Sequence, residues 1–350
     1  MTISSKKLTG FLMSRVFIVS LLIVFQLVLL LFSVVLVSYH AYQLSLLLRA
    51  VSLLVVIWIV NKSDNPSFKL AWVILILTAP LVGGVFYLLW GNKRLPDKLK
   101  RRIDLFYHAN LAHIQMDSGC EFDLERCDPQ LAVQSAYLRR VTGFPAWQGT
   151  AGEFFPLGDV TFPRMIEELK RAERFILLEY FIISPGIMWE EMLAVLRERR
   201  AAGVEIRIMY DDIGTISTLP TGYDRTLRAM GFDVVVFNPY EPHLNMSMNY
   251  RDHRKICVID GNVGFCGGIN IADEYINRLP RFGHWKDTAV MLKGEGVWNL
   301  TLMFLTLWGF SSPGSRIDYA RYIPTVVCRS EGFVQPFGDS PLDRLSVSET

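Results

Sequence analysis

The sequence predicts an α/β domain that follows a set of N-terminal transmembrane helices. Two observations carry this reading. Roughly the first 90 residues hold three long apolar runs, whereas from about residue 150 short β-prone runs alternate with segments of helical period. A stretch rich in Lys and Arg separates the two regimes. The chain of 350 residues is long enough for an anchor and one domain of ordinary size.

Val16–Tyr39 is an apolar run of 24 residues, interrupted only by isolated polar residues such as Ser20, Gln26 and Ser33. About 20 apolar residues cross a bilayer core. A cleaved signal peptide is the alternative, but the run exceeds a usual h-region, and Ser38-Tyr39-His40-Ala41-Tyr42 is a poor small-residue cleavage site. Leu44–Val60 is a second run, with Arg49 near its start able to snorkel to the surface. Leu70–Trp90 is a third, and contains Pro80, Gly83 and Gly84, which membrane helices tolerate where neighbours pack closely. Tyr87 and Trp90 stand where an aromatic belt is expected.

Residues 1–92 therefore read as a membrane anchor, and 93–150 as a basic juxtamembrane segment and connector. Gly91–Arg102 holds six basic residues and one acid. Next to a membrane such a run marks the cytoplasmic side and attracts anionic headgroups, which disfavours a nucleic-acid patch. Three crossings would put the N-terminus outside, against Lys6, Lys7 and Arg15, unless one of the first two segments is re-entrant or lies in the interface.

The α/β domain is expected over 151–330. Thr161–Glu173 has helical character, and Phe175–Ser184 is an almost unbroken β-prone run, as in a strand buried on both faces. Met188–Ala202 is helical and stops at Gly203; Val204–Tyr210 is a strand that ends in Asp211-Asp212. A short helix, Asp224–Met230, and a strand, Asp233–Phe237, follow. The net charge of +2 gives no sign of a nucleic-acid partner. Five cysteines, an odd number without zinc-knuckle spacing, suit a reduced, cytoplasm-facing domain, with Cys257 and Cys266 as small buried hydrophobes.

The chemistry concentrates in Asn249–Asn270. Ile256–Ile259 is β-prone, and Asp260-Gly261 signals a hairpin turn. His253 and Lys255 are two apart, so they emerge on one side of an extended chain. A neutral imidazole is a nucleophile or a base. The neighbouring ammonium clamps phosphate and disfavours imidazolium. Gly267 and Gly268 permit close approach of backbone and ligand, and Asn270 offers an amide donor. Singly, each has a plainer alternative: a structural histidine, a turn aspartate, a bulge. Jointly they are far more specific.

His-x-Lys-x4-Asp followed by Gly-Gly-x-Asn resembles the phospholipase D superfamily signature, with His253, Lys255, Asp260 and Asn270 at its positions. The resemblance to bacterial cardiolipin synthases extends to Asp64–Lys69, Leu70–Gly91, Leu178–Phe181, Tyr210–Gly214, Asn249–Arg251 and Trp285–Thr288, nearly everything from about residue 60 onward. Val16–Tyr39 looks like an added span. The resemblance implies one phospholipase D-like α/β/α half-domain and a two-step phosphatidyl transfer between two phosphatidylglycerol molecules, giving cardiolipin and glycerol. One histidine forms a phosphohistidine, and the histidine of a second motif acts as acid and then base. His253 would be the nucleophile, Lys255 and Asn270 would hold the phosphate, and Asp260 would support the motif's local structure. Asp287 matches a carboxylate that orients the opposite histidine, or is a surface strand residue. No metal or cofactor is implied. His243, His284 and Glu179 read as structural or peripheral.

The family's site needs two motifs, and this sequence holds one. His284 has Lys286, but Met291 stands where the aspartate belongs. Val334–Pro341 resembles the linker toward a second half, so 331–350 reads as the start of that linker. A fragment of a longer protein is the favoured account; a truncated or split gene, or pairing of two copies, are the others. Beside phosphatidyl transfer stand two alternatives: a non-catalytic lipid-binding membrane subunit, and a phosphodiesterase or nuclease of the same fold. The expected partners are phosphatidylglycerol, anionic lipids and a second catalytic half or copy, not nucleic acid. The expected place is a bacterial cell membrane, multi-pass, with the domain in the cytoplasm.

Overall fold

The computed structural model describes residues 15–39, 42–62, 66–91, 118–240, 251–281, 283–312, 314, 317–330 and 332–338. The basic run 93–102, His243, Asn249, Tyr250 and everything after Gly338 lie outside them. The chain forms two compact units, one within Met1–Pro96 and one within Asp97–Tyr240 and Tyr250–Thr350.

The first unit is helical: α1 (Arg15–Tyr39), α2 (Tyr42–Val60), α3 (Pro66–Thr78) and α4 (Pro80–Trp90). Side chains are described over 21–33 of α1 and from 48 onward in α2. Over the described residues no helix is long and apolar enough to cross a membrane. Ile59 of α2, Ile76 of α3 and Tyr87 of α4 form a small shared core. One expectation is corrected here. Leu70–Trp90 is not a single helix but breaks at Ala79, whose φ of −135° and ψ of 77° are non-helical. The cause is Pro80. Its ring disfavours a helical residue before it, and without an N–H it suits the first position of a new helix.

In the second unit the stretch read as a connector carries two helices, α5 (Glu121–Cys127) and α6 (Pro129–Thr142). The Asp128 carboxylate caps α6 by accepting from the Gln130 and Leu131 amides at 2.9 and 3.1 Å. The domain then runs β1 (Thr150–Phe155), α7 (Gly158–Lys170), β2 (Phe175–Tyr180), α8 (Ile187–Ala201), β3 (Glu205–Asp211), α9 (Asp212–Thr215), α10 (Tyr223–Ala229), β4 (Asp233–Phe237), β5 (Ile256–Ile259), β6 (Val263–Gly267), β7 (Ala289–Gly294) and α11 (Val297–Ser311). A short 3-10 turn, Tyr319–Tyr322, follows.

The seven strands make one mixed sheet in the order β1-β7-β6-β5-β2-β3-β4. β2, β3 and β4 are parallel, with helices crossing between them; β5 runs antiparallel to β2 and turns back into β6. Asp260 and Gly261, at φ 55° and 71°, make the β5–β6 turn that an Asp-Gly pair favours. All six residues of β2 are buried, which explains its lack of alternation. Ile176, Leu178 and Tyr180 pack on α7 and α8, while Phe175 and Leu177 pack on α11. The result is an α/β/α sandwich. Each fully buried Ile or Leu contributes about 1.5–3 kcal/mol relative to exposure.

The segment read as the start of a linker is tied to this domain as far as Pro336. Trp147 and Val334 exchange backbone hydrogen bonds of 2.8 and 2.9 Å. Behind them Asn299 of α11 is fully buried. It accepts from Trp147 Nε1 at 2.7 Å and donates to the carbonyls of Pro145 and Pro336 at 2.9 and 2.8 Å. Asn299→Leu leaves three polar groups unpaired, two of them in buried bonds. The expected loss is about 2–4 kcal/mol of unfolding free energy, read as a lower denaturant midpoint.

Candidate active site

The carboxyl ends of parallel β2 and β3 and the amino end of β5 lie at one edge of the sheet, the usual ligand edge of parallel sheets. Residues 251–255 run extended into β5, so alternate side chains take opposite faces. His253 is exposed, whereas Lys255 is 6% exposed. Lys255 Nζ donates to the His253 carbonyl at 2.5 Å. Phe181, just past β2, contacts both groups. Its ring lies 4.8 Å from the His253 ring, tilted by 54°, and Lys255 Nζ lies 5.4 Å from its centroid. The ring face attracts the ammonium and backs the imidazole.

These surroundings set the protonation states. Burial, then the Lys255 charge, lower the His253 pKa against the opposing pull of Asp252 and Asp211. A neutral, nucleophilic imidazole near pH 7 follows. Burial brings Lys255 down from 10.5 to about 8, and the carboxylates of Asp252, Asp287 and Asp211 oppose that fall. An ammonium held in so dry a place is a strong attractor for an anion.

The face opposite His253 holds charges that sequence reasoning underrated. Glu179, next to last in β2, is fully buried. Its Oε1 lies 2.6 Å from Arg254 Nε, which also lies 3.3 Å from Asp252 Oδ1. Burial, reinforced by the Asp252 charge, holds the Glu179 pKa well above the carboxylate range despite Arg254. Asp211, at the end of β3, accepts from the amides of Ile213, Gly214 and Asp252 and lies 3.4 Å from Arg251 Nη1. A polar residue inside an otherwise apolar strand, as in Phe-Ile-Leu-Leu-Glu-Tyr, was the available signal for Glu179.

The other expected site residues divide by place. Asn270 is buried, and both ends of its amide are engaged: Oδ1 accepts from the Ile182 amide at 2.9 Å and Nδ2 donates to the Tyr275 hydroxyl at 2.8 Å. It holds the chain leaving β2. Gly267 and Gly268 lie at the end of β6 against the segment that leads into β7. A Cβ on Gly267 would stand 2.3 Å from the Thr288 carbonyl oxygen, and one on Gly268 would stand 1.9 Å from Asp287 Oδ1. The close approach they permit is to Thr288 and Asp287. Asp287 in turn acts on Lys255 through its charge. His284 is exposed, and its place in the site is not defined by any described contact.

Asp260 stands apart from His253 and Lys255. It lies past the far end of β5, about 17 Å along the strand from Lys255. Its carboxylate accepts from the amides of Glu173, Arg174 and Phe175 at 2.8, 2.7 and 2.9 Å, at the start of β2. It touches nothing at the His253 edge; it anchors β5 to β2. Among the described residues no cluster of His, Cys, Asp and Glu could hold a metal ion.

Two predictions follow from this charge distribution. Lys255 titrates at about 8 in the folded state against 10.5 in the unfolded chain, a cost of about 3 kcal/mol below pH 8. Between pH 8 and 10.5 the unfolded chain binds the proton that the folded chain has released, so stability rises with pH. Lys255→Met is therefore more stable than the parent at pH 7 by about 1–3 kcal/mol, and the gain shrinks above pH 8. Denaturant unfolding in detergent at pH 7 and pH 10 measures it; a less stable variant at pH 7 refutes it. Asp260→Ala strands three amides and costs about 2–4 kcal/mol, yet leaves the His253 titration followed by NMR unmoved.

Comparison with known proteins agrees with this architecture. Residues 165–279 match the family described as cardiolipin synthase, PLD-like domain, and residues 50–92 match phospholipase D-nuclease N-terminal. An uncharacterized protein of Streptococcus mutans is 40% identical over 300 residues, 84% of this chain and 64% of that one. The cardiolipin synthase of Geobacillus kaustophilus is 34% identical over 82% of this chain and 57% of its own length. A probable cardiolipin synthase of Bacillus subtilis is 28% identical over 83% and 58%. The chain thus spans about three fifths of the curated relatives it matches. Over residues 165–279 the chain matches a phospholipase D-like domain, and over most of its length it resembles the bacterial cardiolipin synthases.

Proposed function

We propose that the chain is the first catalytic half of a cardiolipin-synthase-type phosphatidyltransferase attached to a bacterial membrane. The observation that carries this is an exposed imidazole of lowered basicity above a buried ammonium, at the ligand edge of the sheet. The imidazole attacks the phosphorus of phosphatidylglycerol. A phosphorus–nitrogen bond forms and the bond to the glycerol oxygen breaks. The departing glycerol takes a proton from the histidine of a second motif, in the same full-length chain or in a second copy. That histidine then removes the proton from a hydroxyl of a second phosphatidylglycerol. The resulting attack gives cardiolipin and frees His253. Lys255 stabilises the charge spread over the phosphoryl oxygens throughout. Asp287 keeps Lys255 charged and in place, and is the chain's candidate for orienting the second histidine.

Membrane attachment rests on α1 and α2. Both are made largely of Leu, Ile and Val. The described middle of α1, residues 21–33, exposes Leu, Ile, Val and Phe, which water does not favour. The basic run 93–102 supports a cytoplasmic domain.

In membranes that carry the full-length protein, phosphatidylglycerol is converted to cardiolipin with release of glycerol. His253→Ala lowers this rate by roughly a thousandfold or more, with folding intact because the side chain is exposed. Undiminished conversion refutes the role of His253. Headgroup binding without turnover by the unaltered protein makes it a lipid-binding subunit instead.

A further inference from the structure

The geometry points to α3 and α4 as a re-entrant hairpin: it dips its Ala79–Leu81 turn into the acyl chains of a bilayer and returns to the face it left. The pairing of residues around the break carries this. Trp72 and Tyr87 have ring centroids 5.4 Å apart. A Cβ on Gly83 would stand 2.7 Å from the Ile76 Cα. In each pair the two positions are equidistant from the 79–80 break, which is the register of two antiparallel helices. Fifteen residues along one straight helix span about 22 Å, so Trp72 and Tyr87 could not touch in a continuous span. Gly83 lacks the side chain that would force the helices apart beside the turn.

Length and surface agree. Helices of 13 and 11 residues reach about 20 and 16 Å, short of the roughly 30 Å core. Their outward residues are apolar and exposed: Leu70, Ile74, Leu77, Leu81, Val85 and Leu88. The tip carries no charge, its Thr78 hydroxyl donates back to Ile74 O at 2.8 Å, and the Ala79 and Gly83 amides are bonded at 3.0 and 2.7 Å. Pro80 has no N–H to satisfy, which removes one donor from the turn.

The open end is built differently. Lys62 Nζ donates to the Tyr87 hydroxyl at 2.9 Å and lies 3.9 Å over the Trp58 ring. Lys69 Nζ donates to the carbonyls of Val60 and Lys62 at 3.0 and 2.5 Å, closing the end of α2. Lysines with Trp and Tyr at one end and an apolar turn at the other describe a segment entering from one side. The parity conflict then disappears. Counted on the sequence alone, a re-entrant third segment removes the odd crossing that set Lys6, Lys7 and Arg15 against the basic run 93–102. The re-entrant segment is the third, not one of the first two. The inference shares only membrane attachment with the proposed function and uses none of its chemistry.

The test is cysteine labelling of the full chain in sealed phosphatidylglycerol and phosphatidylethanolamine vesicles of known orientation, with each site read by peptide mass. An impermeant maleimide reacts with Asn61→Cys and with native, exposed Cys127 from the same side. Leu81→Cys reacts from neither side until detergent is added, and a bimane at that position is quenched by lipids brominated on the acyl chain. Asn61→Cys and Cys127 labelled from opposite sides would mean a crossing and overturn the hairpin. Labelling of Leu81→Cys in intact vesicles, or its protection without quenching, overturns lipid as the occupant; the latter outcome assigns the tip to a protein surface such as a second copy. Cardiolipin synthesis enters none of these readouts.

Discussion

The register of β5 on β2 is the constraint on which the site depends. A shift of one residue would exchange the faces of every side chain from Arg251 to Ile259. His253 would lose Phe181, and Arg254 would leave Glu179 alone in the core. Two devices at opposite ends of the strand prevent this. At one end the Asp260 carboxylate gathers three amides at the entrance of β2. Toward the other, Arg254 meets Glu179 inside the sheet. Only one alignment satisfies both. Breaking a buried pair by removing one partner leaves an uncompensated charge, which makes such a pair a sharp selector of register even where its net stabilisation is small.

The same strand carries an opposite kind of residue. Lys255 is held charged where burial disfavours charge. Nothing in the packing of the domain requires an ammonium there, and an apolar side chain of similar length would fill the space. Three carboxylates, the Phe181 ring and the His253 carbonyl together keep it protonated at neutral pH. A local cost maintained by so many neighbours is the mark of a group kept for binding. Phe181 also walls the imidazole, so one aromatic ring spaces His253 and Lys255.

The sequence was most legible where one rule acted alone. Asp233–Phe237 and Ile256–Ile259 form strands at their expected bounds, and the Asp-Gly turn forms where its dipeptide stands. It was least legible where a terminator is read only in context. Pro80 within an apolar run was compatible with a kinked span; the reversal depends on Gly83 and Ile76 fitting together across the turn, which no periodicity records. Asp128-Pro129 and Gly143 bracket α6 as a cap and a stop, yet its weak apolar stripe hid the helix between them. The motif gave residue types but not places. Asp260 belongs to the same short pattern as His253, and the straightness of β5 carries it to the other edge of the sheet. Glu179 was legible only as an anomaly, one carboxylate among apolar neighbours.

Under the proposed transfer, the arrangement around His253 also bears on what a second half would supply. Attack by a neutral imidazole leaves an alkoxide that needs a proton. Burial raises the Glu179 pKa, but the carboxyl is buried on the opposite face of the strand and cannot reach a departing oxygen. Asp211 is enclosed by backbone amides. Lys255 could give up a proton near pH 8, yet doing so would discharge the clamp as negative charge grows on the phosphoryl group. His253 cannot serve, since its nitrogen is the bond being made. Under the proposed transfer the described half-site therefore binds and attacks, and a proton donor must enter from outside it. A second imidazole, acid in one step and base in the next, has the proton affinity for both roles.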